Sequence, residues 1–255
     1  MKSLFQKYKV VMASHPTLKK AQSFVELALI LPVLIMILLG VVEISFLVSQ
    51  YLDLLDLTRE AARFASVRDP FDSTTPDYDC REASPFYFYY DTACVFSPPP
   101  NSGKCDYLTH PFCNGVNPYA DIDPATDDIV ISVFSVSDEG GTYEVKDDWP
   151  QPDGYWAFSD HDPDTTNNAN WTKDCQGNVV KTEPYYTIAS VTDRLNSDTD
   201  TPHSKGFVAV ELYYCYHQVL KLALVFPDPL RLHAYTLMSL PAAAPTPTPR
   251  PSVSP

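Results

Sequence analysis

The feature that most constrains this chain is an apolar run from Leu27 to Val48, which is interrupted only by Glu43. As an α-helix these 22 residues cover roughly 33 Å, enough to cross the hydrocarbon core of a bilayer. A cleaved secretory signal would have a shorter apolar core that ends in small residues. Here the run continues into LVSQYLDLLDLTREAARFAS, which keeps a helical pattern. We therefore expect a retained membrane helix within a longer helix from about Phe24 to Val67.

Charge is distributed unevenly around this run. Residues 1–20 hold five lysines and no acid, whereas from Asp69 onward there are 27 acids and 10 bases, a balance of −17 (10 − 27). The positive-inside rule then places the N-terminus in the cytoplasm and the rest outside. Because an acidic domain repels nucleic acid, we do not expect nucleic acid to be a partner. An ordinary solvated surface explains the negative charge without any ligand.

All six cysteines lie on the predicted outer side, where disulfides are expected. Six cysteines allow 15 pairings, so the pairing stays open. The absence of a Cys-x-x-Cys motif argues against zinc and thioredoxin-type sites. The candidate disulfide cysteines are Cys80, Cys94, Cys105, Cys113, Cys175 and Cys215.

Beyond the membrane run, apolar and small residues recur at helical spacing. This stripe consists of Leu47, Tyr51, Leu54, Thr58, Ala61 and Ala65. Such a stripe is the seam of a helix that packs against something. It either docks on its own domain, which would accommodate only about two turns of it, or bundles with copies of itself. Asp69-Pro70 is expected to end the helix.

Three residues within the membrane run, and Glu26 directly before it, have individual expectations. Pro32 removes a helical hydrogen bond and predicts a kink near Ala28 to Pro32. Gly40 lets another backbone approach closely. Glu26 lies at the inner rim, where it is either a solvated interfacial acid or an assembly signal, and Glu43 lies near the outer rim, where we expect it to reach water.

The segment KKAQSFVELALILPVLIMILLGVVEISF, followed by TREAARFAS, resembles the N-terminal signature of the TadE-like pilus assembly proteins of tight-adherence systems. The elements that match in order are Ala21, Glu26, Pro32, Gly40, Glu43 and the REAAR sequence of residues 59–63. The resemblance implies a pilin-like, single-helix membrane protein that a prepilin peptidase processes between Ala21 and Gln22. It further implies assembly with other pilin-like subunits and with the membrane platform proteins of a tight-adherence system.

Cleavage there would give Glu26 a physical role. It would create an α-amino group at Gln22, largely protonated near neutral pH. A carboxylate one helical turn further along can offset that charge within the chain or between subunits, and the benefit grows in a low dielectric.

The outer part of the chain predicts a small antiparallel sheet. DIVISVFSVSDEGGTYEV is typical of a β-hairpin that turns at residues 139–141. GFVAVELYYCY and LRLHAYTLM alternate as strands, separated by Pro227 and Pro229. Residues 70–128 predict an irregular, disulfide-stapled insertion, in which the aromatic run Phe86 to Tyr90 favours a half-buried strand over a ligand platform.

The fold class is therefore α+β, with a long N-terminal transmembrane helix followed by a small antiparallel β-sheet domain in a pilin-like layout. Residues 1–21 are predicted to be a cytoplasmic leader and residues 22–67 the transmembrane and amphipathic helix. Residues 68–240 form an extracytoplasmic β-rich domain, and the Pro/Thr-rich residues 241–255 a disordered tail.

Motifs for catalysis or cofactors are absent from the sequence, so we expect no enzyme, no cofactor and no metal site. One acidic loop places Asp160, Asp162, Asp164 and Asn168 at calcium-loop positions, but it lacks the glycine and the closing glutamate. This loop is either a weak calcium site or simply solvated. The expected function is a membrane-anchored pilin-like component of a tight-adherence pilus or secretion system. The alternative is a surface adhesin or receptor anchored by an uncleaved helix.

Overall fold

The computed structural model describes residues 16–71, 88–97, 115, 119–123, 126–138, 142–161, 171–173, 175–176, 179–197, 206–221 and 227–241. Its first element is a single helix, α1 (Pro16–Ser66), with Pro32 inside it. Proline at a first helical position is favourable because its missing N–H has no partner there anyway. The helix begins eight residues before the predicted Phe24 and ends one residue before the predicted Val67.

The remaining described elements are short helices and antiparallel strands. In chain order they are α2 (Phe88–Cys94), β1 (Asp128–Asp138), β2 (Tyr143–Trp149), β3 (Trp156–Ala157), α3 (Phe158–His161), β4 (Trp171–Lys173), β5 (Val179–Lys181), α4 (Ile188–Ser197), β6 (Gly206–Tyr216) and β7 (Leu230–Leu240). The main sheet has the order β2-β1-β6-β7, and β3 also pairs with β1. The strands β4 and β5 form a separate pair. The predicted α+β class, a long helix followed by a small antiparallel sheet, is confirmed.

The strands of the predicted hairpin and the two strands predicted near the C-terminal end of the domain are observed. The hairpin prediction corresponds to β1 and β2, which pair antiparallel with a register shift between Ser135 and Val136. GFVAVELYYCY coincides with β6, and LRLHAYTLM with most of β7. These two strands pair along their whole length, from Gly206 opposite Leu240 to Tyr216 opposite Leu230.

One face of the sheet packs on α1. The apolar side chains of β1, β6 and β7 that point to this face belong to the same buried cluster as Leu54, Ala61 and Ala65 of α1. Alternation along each strand places every second side chain on one face, and the alternate apolar side chains of β6 and β7 are the ones that face α1. Across it, the Thr236 hydroxyl donates to Thr58 Oγ1 at 3.3 Å.

The opposite face is also covered. Phe134, Phe207 and Ala209 are buried there against Val191 and Leu195 of α4. The sheet is therefore the middle of three layers, which explains why the apolar run in β1 is nearly continuous rather than alternating.

The prediction of a strand in the aromatic run was wrong for its described part. Residues 88–90 begin helix α2, and Phe88, Tyr89 and Tyr90 are all buried. Packing against α1 has overridden the β-propensity of these aromatic residues, and the Thr92 hydroxyl donates to the Phe88 carbonyl at 2.6 Å inside the helix.

Cys175 and Cys215 form a disulfide that links the segment after β4 to the end of β6. Cys94 is also disulfide-bonded. The candidates Cys80, Cys105 and Cys113 lie outside the described residues. So do the turn at 139–141, residues 162–168 of the acidic loop, and the tail from residue 242 onward.

Candidate membrane-anchor and assembly site

Helix α1 has two parts that differ in what surrounds them. From Phe24 to Val42 its large apolar side chains are exposed. From Glu43 to Ala65 one side of the helix is docked on the sheet. Among the described residues, α1 is long and apolar enough to cross a membrane, judged by length and composition. The helix therefore runs without interruption from a bare apolar segment into the core of the domain.

The docked part contains the whole predicted stripe. Leu54, Thr58, Ala61 and Ala65 are buried, and Leu47 and Tyr51 pack partly buried against the same core. The expected docked length of about two turns was too short, because residues 43–65 extend over roughly six turns. This stripe faces its own domain and is not available for bundling with copies of the chain.

Glu43 is the main correction to the sequence interpretation. It does not reach water, because only 2% of its surface is exposed. The Tyr216 hydroxyl and the Val219 N–H each donate to Glu43 Oε1 at 3.0 Å, and the Leu220 N–H donates to Oε2 at 2.8 Å. We call Glu43, Tyr216, Val219 and Leu220 the Glu43 junction.

The Glu43 junction attaches the helix to the domain at the point where one side of the helix first becomes buried. Three donors satisfy a carboxylate that would otherwise be costly to bury. Burial and the hydrogen bond to Glu43 raise the pKa of Tyr216 to about 12. Tyr216 therefore keeps its proton at neutral pH and remains a donor.

The other sequence-predicted residues lie N-terminal to this junction. Ala21 and Gln22 are within α1, and Glu26 is on its exposed part. Pro32 is inside the continuous helix, and the kink there stays a prediction. Apart from the backbone of its own helix, a Cβ added to Gly40 would meet no heavy atom of the described residues within 4 Å, so the space beside Gly40 is open to another molecule. Glu26 and Gly40 lie on the part of α1 whose large apolar side chains are exposed.

A second buried acid, Glu211 of β6, lies on the sheet face opposite α1. Its carboxylate accepts hydrogen bonds from the Tyr185 and Tyr186 N–H groups and from the Tyr213 hydroxyl at 2.9–3.1 Å. His233 Nε2 lies 3.0 Å from Glu211 Oε2. Burial, followed by the nearby Glu211 charge, raises the pKa of Tyr213.

The Glu211 carboxylate organises an aromatic surface on β6 and β7. Tyr213 and His233 stack with ring centroids 4.3 Å apart, and Tyr185 stacks on Tyr235 at 4.8 Å. The Arg231 guanidinium lies 4.8 Å from the centre of the Tyr213 ring. Sequence reasoning missed both Glu211 and this surface. The available signal was a single acid inside an otherwise apolar strand.

An acidic cleft with a volume of about 380 Å³ lies beside Cys215, which forms the disulfide with Cys175. Asp121, Asp123, Asp127 and His217 are among its lining residues. Asp127 accepts from the Cys215 N–H at 2.8 Å and from the Asp123 N–H at 2.9 Å. Burial raises the Asp127 pKa to about 6, and the opposing backbone hydrogen bonds only partly offset it.

Asp128 beside the cleft serves a structural purpose. It accepts from the Ser159 N–H at 3.0 Å and the Ser159 hydroxyl at 2.7 Å, which ties β1 to α3. Burial raises its pKa. Within the ranges that the structure describes, no three histidine, cysteine or acidic side chains are grouped so as to hold a metal ion.

The comparisons with known proteins agree with the N-terminal resemblance. The family model described as TadE-like protein matches residues 21–63, which is 43 of the 255 residues. No curated protein and no solved structure matches the chain. The matched segment contains every element on which the resemblance was based: Ala21, Glu26, Pro32, Gly40, Glu43 and the REAAR sequence of residues 59–63. The predicted resemblance to the TadE-like family is therefore confirmed for the segment from Ala21 to Arg63.

Proposed function

We propose that this protein is a membrane-anchored, pilin-like subunit, of the minor pilin or pseudopilin type, in a tight-adherence pilus assembly or secretion system. The observation that carries the proposal is the division of α1. The large apolar side chains from Phe24 to Val42 are exposed, whereas one side of the helix from residue 43 to residue 65 is part of the domain core. A TadE-like segment on a long apolar helix fits a membrane-anchored, pilus-related protein. The proposed role is structural rather than enzymatic.

The continuous helix supports assembly as a rigid unit. Any force or rotation applied to the membrane part of α1 reaches the sheet directly, because the same helix forms part of the domain core. Small residues such as Gly40 let membrane helices approach closely. The open space beside Gly40 therefore fits contact with another subunit or with a membrane platform protein.

In this proposal the Glu26 carboxylate pairs with a positive charge at the processed N-terminus. Cleavage between Ala21 and Gln22 by a prepilin peptidase would leave an α-amino group about 6 Å along the helix axis from Glu26. Pairing of the two charges, within one chain or between neighbours, would favour an assembled state in a low-dielectric surrounding. The same proposal covers the location of the protein. It places the N-terminus in the cytoplasm and the domain outside the membrane, and it includes incorporation into a surface pilus.

The first test replaces Glu26 by glutamine in the native host. We expect Glu26→Gln to insert into the membrane as well as the wild type, because the change removes a charge from the rim. Its incorporation into sheared surface pili or purified membrane complexes should fall strongly. The matched control is Glu60→Gln, an exposed acid on the same helix outside the membrane segment. Equal incorporation of Glu26→Gln and the control would contradict the proposal.

A helix exchange separates an assembly subunit from an anchored adhesin. Residues 22–42 are replaced by an unrelated apolar sequence of equal length, so that Glu43 and its three hydrogen bonds stay intact. An assembly subunit should lose incorporation while its domain stays folded and membrane-bound. An adhesin that uses the helix only as an anchor would keep its full surface function after the exchange.

A further inference from the structure

The depth of Glu43 relative to the bilayer follows from the length of α1. About 20 helical residues are needed to cross the hydrocarbon core. Counted from Leu27, the first residue after Glu26, that number is reached at Phe46. Glu43 therefore lies three residues, about 5 Å, inside the outer end of this segment. The exposed apolar side chains Ile44, Phe46 and Val48 continue past Glu43, in agreement with this depth.

The segment from Tyr216 to Lys221 lies at the same depth as Glu43. The N–H groups of Val219 and Leu220 are within 3.0 Å of the Glu43 carboxylate, so the two chain segments are level with each other. The side chains of Val219 and Leu220 are 59% and 36% exposed, whereas their backbone donors are used by Glu43. Exposed apolar side chains are common on the surface of a soluble domain. Val219 and Leu220 differ because they lie beside the proposed membrane helix.

The residue that follows has the properties of an interfacial one. Lys221, five residues after the end of β6, is exposed and has a positive φ of 52°. A lysine can lay its aliphatic stem along an apolar layer and keep its ammonium group at the level of the phosphates. In the sequence the apolar character continues through Phe226, although residues 222–226 lie outside the described residues.

We propose that residues 216–221 form a second membrane contact, in which Val219 and Leu220 enter the acyl region of the bilayer next to α1. The inference rests on the proposal that α1 crosses the membrane. Glu43 then has two tasks, because its three hydrogen bonds hold this segment against the helix and also shield the carboxylate from lipid. The contact turns the Tyr216 and Leu230 end of the sheet toward the membrane and the Gly206 and Leu240 end away from it.

Photolabelling of the full chain in lipid vesicles tests this contact. The vesicles contain phosphatidylcholine, phosphatidylglycerol and a phosphatidylcholine with a diazirine in its acyl chain. After irradiation, peptide mass mapping should find lipid adducts on the exposed part of α1 and on residues 216–221. The strand Tyr143–Trp149, at the far side of the sheet, serves as the internal reference and should carry few.

The outcomes distinguish the contact from the anchor. Adducts on α1 with a yield in residues 216–221 no higher than in the reference strand would overturn the second contact and leave the anchor standing. Adducts on neither α1 nor residues 216–221 would overturn the membrane anchor as well.

A double variant, Val219→Ser with Leu220→Ser, provides the second measurement. It removes the apolar side chains but keeps the backbone N–H groups that donate to Glu43, so the fold should survive, as a thermal unfolding curve can check. Labelling of residues 216–221 should disappear while labelling of α1 is unchanged. The control Ile188→Ser removes an exposed apolar side chain, 38% exposed, from α4 and should leave the labelling pattern as in the wild type. Unchanged labelling of the double variant would overturn the inference.

Discussion

At the scale of single residues, the fold depends on acids placed inside apolar patterns. Glu43 interrupts an apolar helical segment and Glu211 interrupts a strand, yet each is buried and accepts at least three hydrogen bonds. An acid in an apolar context costs free energy unless donors surround it. The donors to Glu43 are 173 to 177 residues away in the chain. Local sequence patterns therefore could not show that Glu43 is buried.

Replacing Glu43 by glutamine should weaken the attachment of α1 to the domain. Glutamine keeps one acceptor oxygen, but its amide nitrogen would face a backbone N–H, so a buried donor loses its partner. We expect the free energy of unfolding to fall by about 2 kcal/mol. Thermal unfolding of the purified protein in detergent measures this.

Two further variants make the result specific. Tyr216→Phe removes one of the three donors and should lower the stability by about 1 kcal/mol. The exposed-acid control Glu60→Gln should change it little, since its ion pair with Arg63 is long, at 4.0 Å, and solvated. An unfolding midpoint for Glu43→Gln equal to that of Glu60→Gln would refute the role of the junction.

The raised pKa of Asp127 leads us to predict that the stability of the fold depends on pH. Burial raises its pKa from 3.8 to about 6 in the folded state. Between those values the folded chain holds a proton that the unfolded chain has lost. The stabilising effect of protonated Asp127 is therefore complete below about pH 4 and disappears as the pH rises through 6. The loss amounts to at most about 3 kcal/mol.

Asp127→Asn should make the decrease in stability between pH 4 and pH 7 smaller than in the wild type. The comparison is needed because burial also raises the pKa of Asp128 and Asp148, and these groups add to the same trend. The exposed control Asp193→Asn should leave the profile unchanged. Parallel profiles for Asp127→Asn and the wild type would show that Asp127 titrates normally.

At the scale of elements, α1 shows what periodicity can and cannot predict. The stripe from Leu47 to Ala65 indicated which side of the helix packs, and the structure confirms that side. It could not indicate whether the partner was the chain's own sheet or another copy, because both need the same apolar spacing. In helix α2 the local signal itself was misleading. Its aromatic residues favour strands by propensity, but they form a helix that packs against α1.

The close contact of α1 with the sheet predicts the effect of a larger side chain in the stripe. Ala61 is fully buried, so Ala61→Leu forces new atoms into a packed space. We expect a loss of about 1–3 kcal/mol of stability, seen as a lower unfolding midpoint. The control Glu60→Leu adds a leucine on the adjacent exposed face and should have little effect. An unchanged midpoint for Ala61→Leu would mean that α1 does not pack on the sheet as described.

At the scale of the whole molecule, the sequence was sufficient to predict the main strands of the sheet but not the order in which they pair. Strands β1, β2, β6 and β7 follow from alternation and turn residues. Their order β2-β1-β6-β7 does not, because β1 and β6 are separated by the whole segment containing α4. The covering of the second face by α4 depends on contacts between segments distant in the chain. The Glu211 aromatic surface and the acidic cleft arise only after those segments meet.

The central claim is that α1 is the processed assembly helix of a pilin-like subunit. Its most direct test is the intact mass, with N-terminal sequencing, of the protein purified from its native membrane. We predict a mature chain that starts at Gln22, with its α-amino group one helical turn from Glu26. A chain that still starts at Met1 would contradict the proposed role of Glu26 and would favour a surface protein held by an uncleaved anchor.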